Sequence, residues 1–464
     1  MKTIGIIIFI SLLAVGTVWA EDPPSKHYIL NNGLSVYIQK RDHIPLVNIV
    51  FAVNVGSKDE DQNTNGIVHL LEHLILLGPT QFQTVDEINL EMRRHGAQFN
   101  AHTSHDLMTF ELSLPAQYWE FGFNILKEKL FHLKLVQPQV DKEKEIIFEE
   151  LSQHQEDPYP LATYLAVEHL FKGHPYQQPV YGVRSVIEKA TIEEIETFYK
   201  KYFVLSNCAL AVVGDVDLAV VDNKIRQGFG HLGEIEESAA PLERDSKPAP
   251  PLKKTVKVER YLDINKAHVI FAFEAPPLGH PDQLGLDIIN LILGKGINPL
   301  LSRALTRMGK PLAHNLQTRY IMMEYGGAFL IYTTMEPKKV NQVRMELIKF
   351  LKTLWNFNYS KEDYPLGQQS EVTDYLEAAK SQVKFSHQQF LESGINAALS
   401  YARNILFYKL HQDEIDGKRE PYMVRVDKTT SADLRNTASR YLSGEKYVMV
   451  TILPDKKKGK KVKK

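Results

Sequence analysis

Cysteine is nearly absent. Cys208 is the single one in 464 residues, so no intrachain disulfide can hold this fold. It lies in the apolar run Cys208-Ala-Leu-Ala-Val-Val213 and reads as a small core residue, not a reactive thiol. Long hydrophobic runs are scarce as well. Past the first twenty residues no stretch is long and apolar enough to span a bilayer. A dominant charge of either sign is also missing. The 55 Lys and Arg nearly balance 56 Asp and Glu, for a net charge of −1. That balance gives no overall pull toward nucleic acid or an anionic membrane. What is present is an ordinary globular mixture, 44% hydrophobic and 24% charged. It holds ample apolar material for more than one core, and the length suits two to three domains.

The two ends differ from the rest. Lys2 precedes the apolar run Ile4 to Val15, and Val18-Trp19-Ala20 follows. A basic start, a short apolar core and a small residue before a cut describe a secretory signal peptide, residues 1–20. The run is short for a membrane anchor, and no Cys at the cut marks a lipoprotein. Export to a periplasmic or extracellular space is therefore expected, with no transmembrane segment left after signal removal. Seven of the basic residues are the Lys of the tail 456–464, which reads as a solvated run.

The middle of the chain looks like one unit written twice. Residues 233–257 hold clustered Glu, Pro, Ala, Ser and Lys, the composition of a linker. It divides residues 21–232 from residues 258–455. Ile49-Val-Phe-Ala-Val53 in the first half matches Val269-Ile-Phe-Ala-Phe273 in the second, and both read as strands. Each precedes an apolar helix ending in Gly, at Gly78 and Gly294. Thr191 leads to Tyr202 and the strand 209–213. Thr430 leads, over the same eleven residues, to Tyr441 and the strand 448–452. Each Thr suits a helix N-cap.

In the first half a hairpin turns at Asn31-Asn32-Gly33, and a strand covers 47–55. Helices are expected at 66–77 and 84–95, strands near 97–102 and 107–114, and helices near 117–133 and 139–155. The pattern implies an α+β domain with helices packed on one sheet.

The chemistry gathers in Gly66-Ile-Val-His69-Leu-Leu-Glu72-His73-Leu-Ile-Leu-Leu-Gly78. With His69 at zero on a helical wheel, His73 falls at about 40° and Glu72 at about −60°. The other positions are aliphatic, so the helix is buried. Two His and a Glu inside a core need partners, and a divalent metal supplies one. Two imidazoles four residues apart on a helix can hold one zinc ion. A carboxylate beside them can carry the proton of an activated water, which makes Glu72 the candidate general base. Zinc needs a third protein ligand. In Glu143-Lys-Glu-Ile-Ile-Phe-Glu149-Glu150-Leu151, the wheel sets Glu150 between Ile146 and Ile147 on the inward face. Glu149 and Glu145 face solvent. Glu143 shares the inward face two turns earlier and suits a supporting acid.

These residues resemble the pitrilysin/insulinase family of zinc metallopeptidases, the inverzincins. The order His69-x-x-Glu72-His73 is the family's motif. Glu150 lies 77 residues after His73, the interval the family keeps, and Glu143 matches its acidic residue seven positions earlier. Asn32-Gly33-Leu34, Gly96-Ala-Gln-Phe-Asn100-Ala101, His174-Pro175-Tyr176 and Val213-Gly214-Asp215 add to the likeness. Its extent, residues 28 to 455, and the single duplication resemble the short two-domain branch, which includes mitochondrial processing peptidases and bacterial homologues.

The resemblance implies two homologous α/β-roll domains, each a sheet flanked by helices, facing each other across a chamber. It implies one Zn²⁺ per chain on His69, His73 and Glu150, with Glu72 and Glu143 in catalytic roles. It implies peptide substrates laid as an added strand along Asn100 and Ala101. The second domain of the family usually lacks the metal site. Here Gly285, Ile288 and Ile289 stand where His69, Glu72 and His73 would align.

One stretch departs from the family. Active members often carry Arg and Tyr in a second-domain segment like Arg-Gly-Leu-Ala-Tyr. This chain reads Met308-Gly309-Lys310-Pro311-Leu312-Ala313-His314. Lys310 and His314 either replace that pair or belong to an ordinary loop. The readings left open are a self-sufficient peptidase, the metal-bearing subunit of a homodimer or heterodimer, and a scaffold of the same fold without turnover.

Overall fold

A computed structural model describes residues 23–232, 248–296, 299–307, 310–363, 374–407 and 420–455. The signal segment 1–20, most of the linker, Met308, Gly309, the side chain of Lys310 and the tail 456–464 lie outside the described residues.

The first half builds a six-stranded sheet from β1 (Ser25–Ile29), β2 (Ser35–Lys40), β3 (Leu46–Val53), β4 (Gln98–Thr103), β5 (Met108–Pro115) and β6 (Cys208–Gly214). Its order is β1-β2-β6-β3-β5-β4. The second half holds β7 (Val256–Leu262), β8 (Ala267–Ala275), the short ladder of β9 (Thr306–Arg307) with β10 (Lys310–Pro311), then β11 (His314–Met323), β12 (Gly326–Met335) and β13 (Val448–Pro454). Its five-stranded sheet runs β11-β12-β8-β13-β7. Read from the other end, this is the first sheet without β1. The directions agree too: β2 runs parallel to β6 and β7 to β13, while the remaining pairs are antiparallel. The duplication expected from sequence is thus a duplication of topology. The two Thr caps match as well. Thr191 and Thr430 each exchange hydrogen bonds with an acid three residues on, Glu194 and Asp433.

Both central strands, β3 and β8, are mostly apolar, broken only by Asn48 in β3 and by His268 and Glu274 in β8, because both faces are covered. Ile49, Phe51 and Val53 of β3 enter a core with α1 (Ile67–Leu77), α2 (Val85–Arg94), α3 (Trp119–Phe131) and α4 (Gln137–Glu156). Val50 and Ala52 face the opposite side, where Ala397, Ala398 and Ala402 of the Gly394–Phe407 helix pack on them. That helix belongs to the second half. The first half returns the exchange. α5 (Pro158–Leu170) sets Ala162, Leu165 and Ala166 against Ile270 and Ala272 of β8 and Val450 and Ile452 of β13. Alanine at these positions lets helix and sheet approach closely.

The halves also meet at a buried charge cluster. Lys58 Nζ lies 3.4 Å from Asp106 Oδ1, 3.5 Å from Glu324 Oε2 and 3.7 Å from Asp59 Oδ2. Asp106 accepts from Tyr176 Oη at 2.6 Å and from the Glu324 N–H at 3.0 Å. Glu324 lies in the β11–β12 turn, so this cluster pins that hairpin to the first half.

The expected linker boundary needs correction. Leu252 is buried, its N–H donates to Glu274 Oε1 at 2.7 Å, and β7 already begins at Val256. The described end of residues 233–257 is therefore packed chain. Among the described residues no helix is long and apolar enough to cross a membrane.

Candidate metal centre

Helix α1 forms as expected, with His69, Glu72 and His73 all buried. Its start depends on a close approach of two glycines. Gly66, at φ 113°, lies against Gly182, where an added Cβ would come within 2.4 Å of the Gly66 Cα. This contact draws the loop carrying Tyr181 onto the helix. The Tyr181 ring then sits edge-on to His69, with centroids 5.4 Å apart, and stacks on His154 at 3.9 Å.

α4 supplies the acids. Val140, Ile147, Phe148 and Leu151 turn its apolar face inward, and Lys144 Nζ anchors it by donating to the Ala190 carbonyl at 2.7 Å. Glu143 is fully buried and Glu150 half-buried, whereas Glu145 and Glu149 are exposed. Of the two neighbouring acids, Glu150 is the one turned toward α1.

His69 Nε2 and His73 Nε2 point at the same Glu150 oxygen, at 3.6 and 3.7 Å. All three donor atoms lie within 4.8 Å of one another. A tetrahedral zinc ion with bonds of about 2.0–2.2 Å sets its donors roughly 3.3–3.5 Å apart. The two His–Glu150 distances already fit that ion, and the two imidazole nitrogens close toward each other by roughly 1 Å or more to hold it. Glu143 Oε2 lies 3.2 Å from His73 Nδ1, the far side of the ring, and so leaves Nε2 for a metal. Gln139 Nε2 donates to the other Glu143 oxygen at 2.7 Å.

The field suits the same use. Burial pushes the His69 imidazolium down to about 3, helped by the charge of His73. His69 is therefore neutral, the form that binds metal. Its Nδ1 makes no well-formed hydrogen bond, though the Tyr181 backbone is near enough to favour protonation there. Burial also acts to lower His73, but the Glu143 contact and the charges of Glu150 and Glu72 outweigh it and leave it raised. Glu72 is raised by burial, against the pull of Thr103, His73 and His102.

Thr103 and His102 belong to β4, the edge strand of the first sheet. Asn100 is exposed on it. The Ala101 side chain is buried in the core, so this residue can offer a ligand only its main chain. Among the described residues, His69, His73 and Glu150 form the one cluster able to hold a metal. In the second half Ile288 and Ile289 are fully buried in apolar core, and Gly285 lies against Thr437. His314 begins β11 with an exposed side chain.

Sequence reading did not find Tyr181, whose exposed phenol feels the charges of Glu150, Glu72 and Arg319 of β11. Its signal was the following glycine. Nor did it find Glu60 and Lys129, which are buried at the two ends of α1.

Comparison with known proteins gives a consistent picture. Residues 35–184 match the model described as insulinase (peptidase family M16), and residues 189–369 match the peptidase M16 inactive domain. The uncharacterized zinc protease YmxG of Bacillus subtilis (strain 168) is 22% identical over 429 residues, covering 92% of this chain and 98% of that protein. The zinc protease PqqE of Helicobacter pylori is 22% identical over 396 residues, covering 84% and 88%. The crystal structure of a protease from Helicobacter pylori superposes with a TM-score of 0.82 at 22% identity, over 93% of this chain and 100% of that one. A peptidase M16 inactive domain from Pseudomonas fluorescens gives 0.77 at 18% identity, over 93% and 98%.

Proposed function

The chain belongs to the insulinase (peptidase M16) family, and from that premise we propose that it is a zinc-dependent metalloendopeptidase acting on peptides or unfolded segments. The observation that carries this is the convergence of His69 Nε2, His73 Nε2 and Glu150 Oε2, with Glu72 buried beside them. One zinc ion per chain would be held by these three residues and would supply Lewis-acid polarisation and positive charge. Glu143 orients His73 through Nδ1. Glu72 takes the proton of the attacking water and delivers it to the leaving nitrogen, a task for which a raised carboxyl pKa is suited. An extended peptide would pair with the free edge of β4 beside Asn100 and Ala101. Main-chain pairing of that kind tolerates many sequences.

The segment 308–314 favours a second arrangement of the same chemistry. It lacks the family's Arg and Tyr, which supports pairing with a related subunit that supplies them. The N-terminal segment supports export. The test is hydrolysis of quenched fluorescent peptides by the mature chain, with zinc measured on the same sample and Glu72→Gln as control. Turnover lost in that variant while zinc is kept supports the self-sufficient enzyme. Zinc without turnover in the parent moves the reading to the paired subunit. A parent chain that holds no zinc removes the peptidase reading.

A further inference from the structure

Helix α1 carries both imidazoles and Glu72, yet every other residue on it is aliphatic. Its flanks therefore have no further directional contact to hold it in place along its axis. Its ends do. At the N-terminal end Glu60 is buried, and its Oε1 accepts from the Gly66 N–H at 2.9 Å and the Val68 N–H at 2.8 Å. Its Oε2 accepts from Asn65 Nδ2 at 2.8 Å, and Asn65 Nδ2 also donates to the Pro179 carbonyl at 3.1 Å. At the C-terminal end Lys129 of α3 is buried, and its Nζ donates to the carbonyls of Gly78 at 2.7 Å and Leu76 at 3.1 Å. Helix ends leave such N–H and C=O groups without partners inside the helix. Here one long side chain at each end, drawn from outside the helix, meets two of them.

We propose that Glu60 and Lys129 are positioning residues for the metal centre, fixing α1 along its axis and so setting where His69 and His73 stand relative to Glu150. Neither residue is catalytic, because their hydrogen bonds go to the helix ends and not to the ligand side chains. The argument is one of tolerance. Glu150 stands on α4, which is anchored separately through Lys144 to the carbonyls of Ala190 and Glu188. A metal site works only if its ligands keep their mutual positions within about 0.5 Å. A helix rises 1.5 Å per residue, so a slide of about a third of one residue already spoils the site. Aliphatic packing resists sideways motion of α1. The four hydrogen bonds at its two ends resist the slide. They need an acceptor at residue 60 and a donor at residue 129, whatever the charge of either.

This inference rests on the metal-centre reading, and its test keeps the two apart. Zinc affinity is read by chelator competition on the full mature chain, and stability by urea unfolding of the zinc-free protein. Glu60→Leu and Lys129→Met remove the end contacts and are expected to weaken zinc binding about tenfold or more, as loss of supporting contacts does in other zinc sites. Lys129→Arg keeps donors and is expected near the parent affinity, whereas Glu60→Gln keeps the acceptor for the Gly66 and Val68 N–H groups but sets its NH₂ against Asn65 Nδ2, so it is expected between the parent and Glu60→Leu. Val450→Ala, in the second sheet, lowers stability far from the helix and is expected to leave zinc affinity unchanged. If Glu60→Leu does not fold, Glu60→Asp, one methylene short, is expected to bind zinc more weakly than Glu60→Gln. Parent-like affinity in the Leu and Met variants, or a loss matched by Val450→Ala at equal destabilisation, overturns the inference alone. A parent chain that binds no zinc overturns both readings.

Discussion

Glu143 offers the sharpest prediction about the metal centre, because it touches His73 and not the ion. Its carboxylate is fully buried and has two contacts, His73 Nδ1 at 3.2 Å and Gln139 Nε2 at 2.7 Å. In Glu143→Gln one of the two oxygens becomes an NH₂ group. Whichever way the amide turns, it sets a donor against His73 or against Gln139, and a flip of Gln139 relieves only the second case. The negative charge that polarises the imidazole is lost in every case. Changes of this kind at other sites weaken metal binding by about 10- to 100-fold, which is roughly 1.4–2.7 kcal/mol. The assay is zinc competition against a chromophoric chelator at neutral pH. Glu145→Gln, on the exposed face of the same helix, serves as control and should change nothing. An affinity for Glu143→Gln equal to that of the control would refute the claim that Glu143 orients His73.

Other consequences are equally direct. Gly66→Ala forces a side chain into φ 113° and onto Ile187, and should cost at least about 1–3 kcal/mol in urea unfolding. Lys58→Met leaves Asp106 and Asp59 buried without their cation; a loss of about 3 kcal/mol is expected, and a loss below 1 would mean the cluster does not join the halves. Burial lifts the Glu60 carboxyl to about 8 despite three hydrogen bonds. A raised folded pKa means stability present below the unfolded value near 4.5 and lost as pH climbs through 8. The zinc-free parent should therefore lose up to about 1.4 kcal/mol per pH unit in that window relative to Glu60→Gln. Parallel pH profiles of the two proteins would contradict this.

Much of this architecture was legible in the chain. The local signals were strong wherever one residue type served one purpose. Aliphatic residues surrounding His69, Glu72 and His73 announced a buried helix, and the inward phase of Glu143 and Glu150 announced its partner. The paired Thr caps and paired Phe51 and Phe271 strands exposed the duplication, and the sheets repeat it strand for strand. What escaped was whatever depends on distant partners. α5 and the Gly394–Phe407 helix each cover the sheet of the other half. Their only local trace is alanine at Ala162 and Ala166 and at Ala397, Ala398 and Ala402, which fixes a close contact but not its partner. Glu60 sits in Lys58-Asp59-Glu60-Asp61, a string that reads as exposed loop, yet Lys58 and Glu60 turn inward to different partners, Lys58 to Asp106 and Glu60 to the start of α1. Charge predicts exposure only until a buried partner is known.

The most direct test is zinc content per chain, measured after dialysis on the parent and on His69→Ala, His73→Ala and Glu150→Ala. One zinc in the parent, and a loss of tight binding in each variant with folding intact, is the expected result. Zinc retained at parental affinity in any of the three variants would contradict the proposed ligand set.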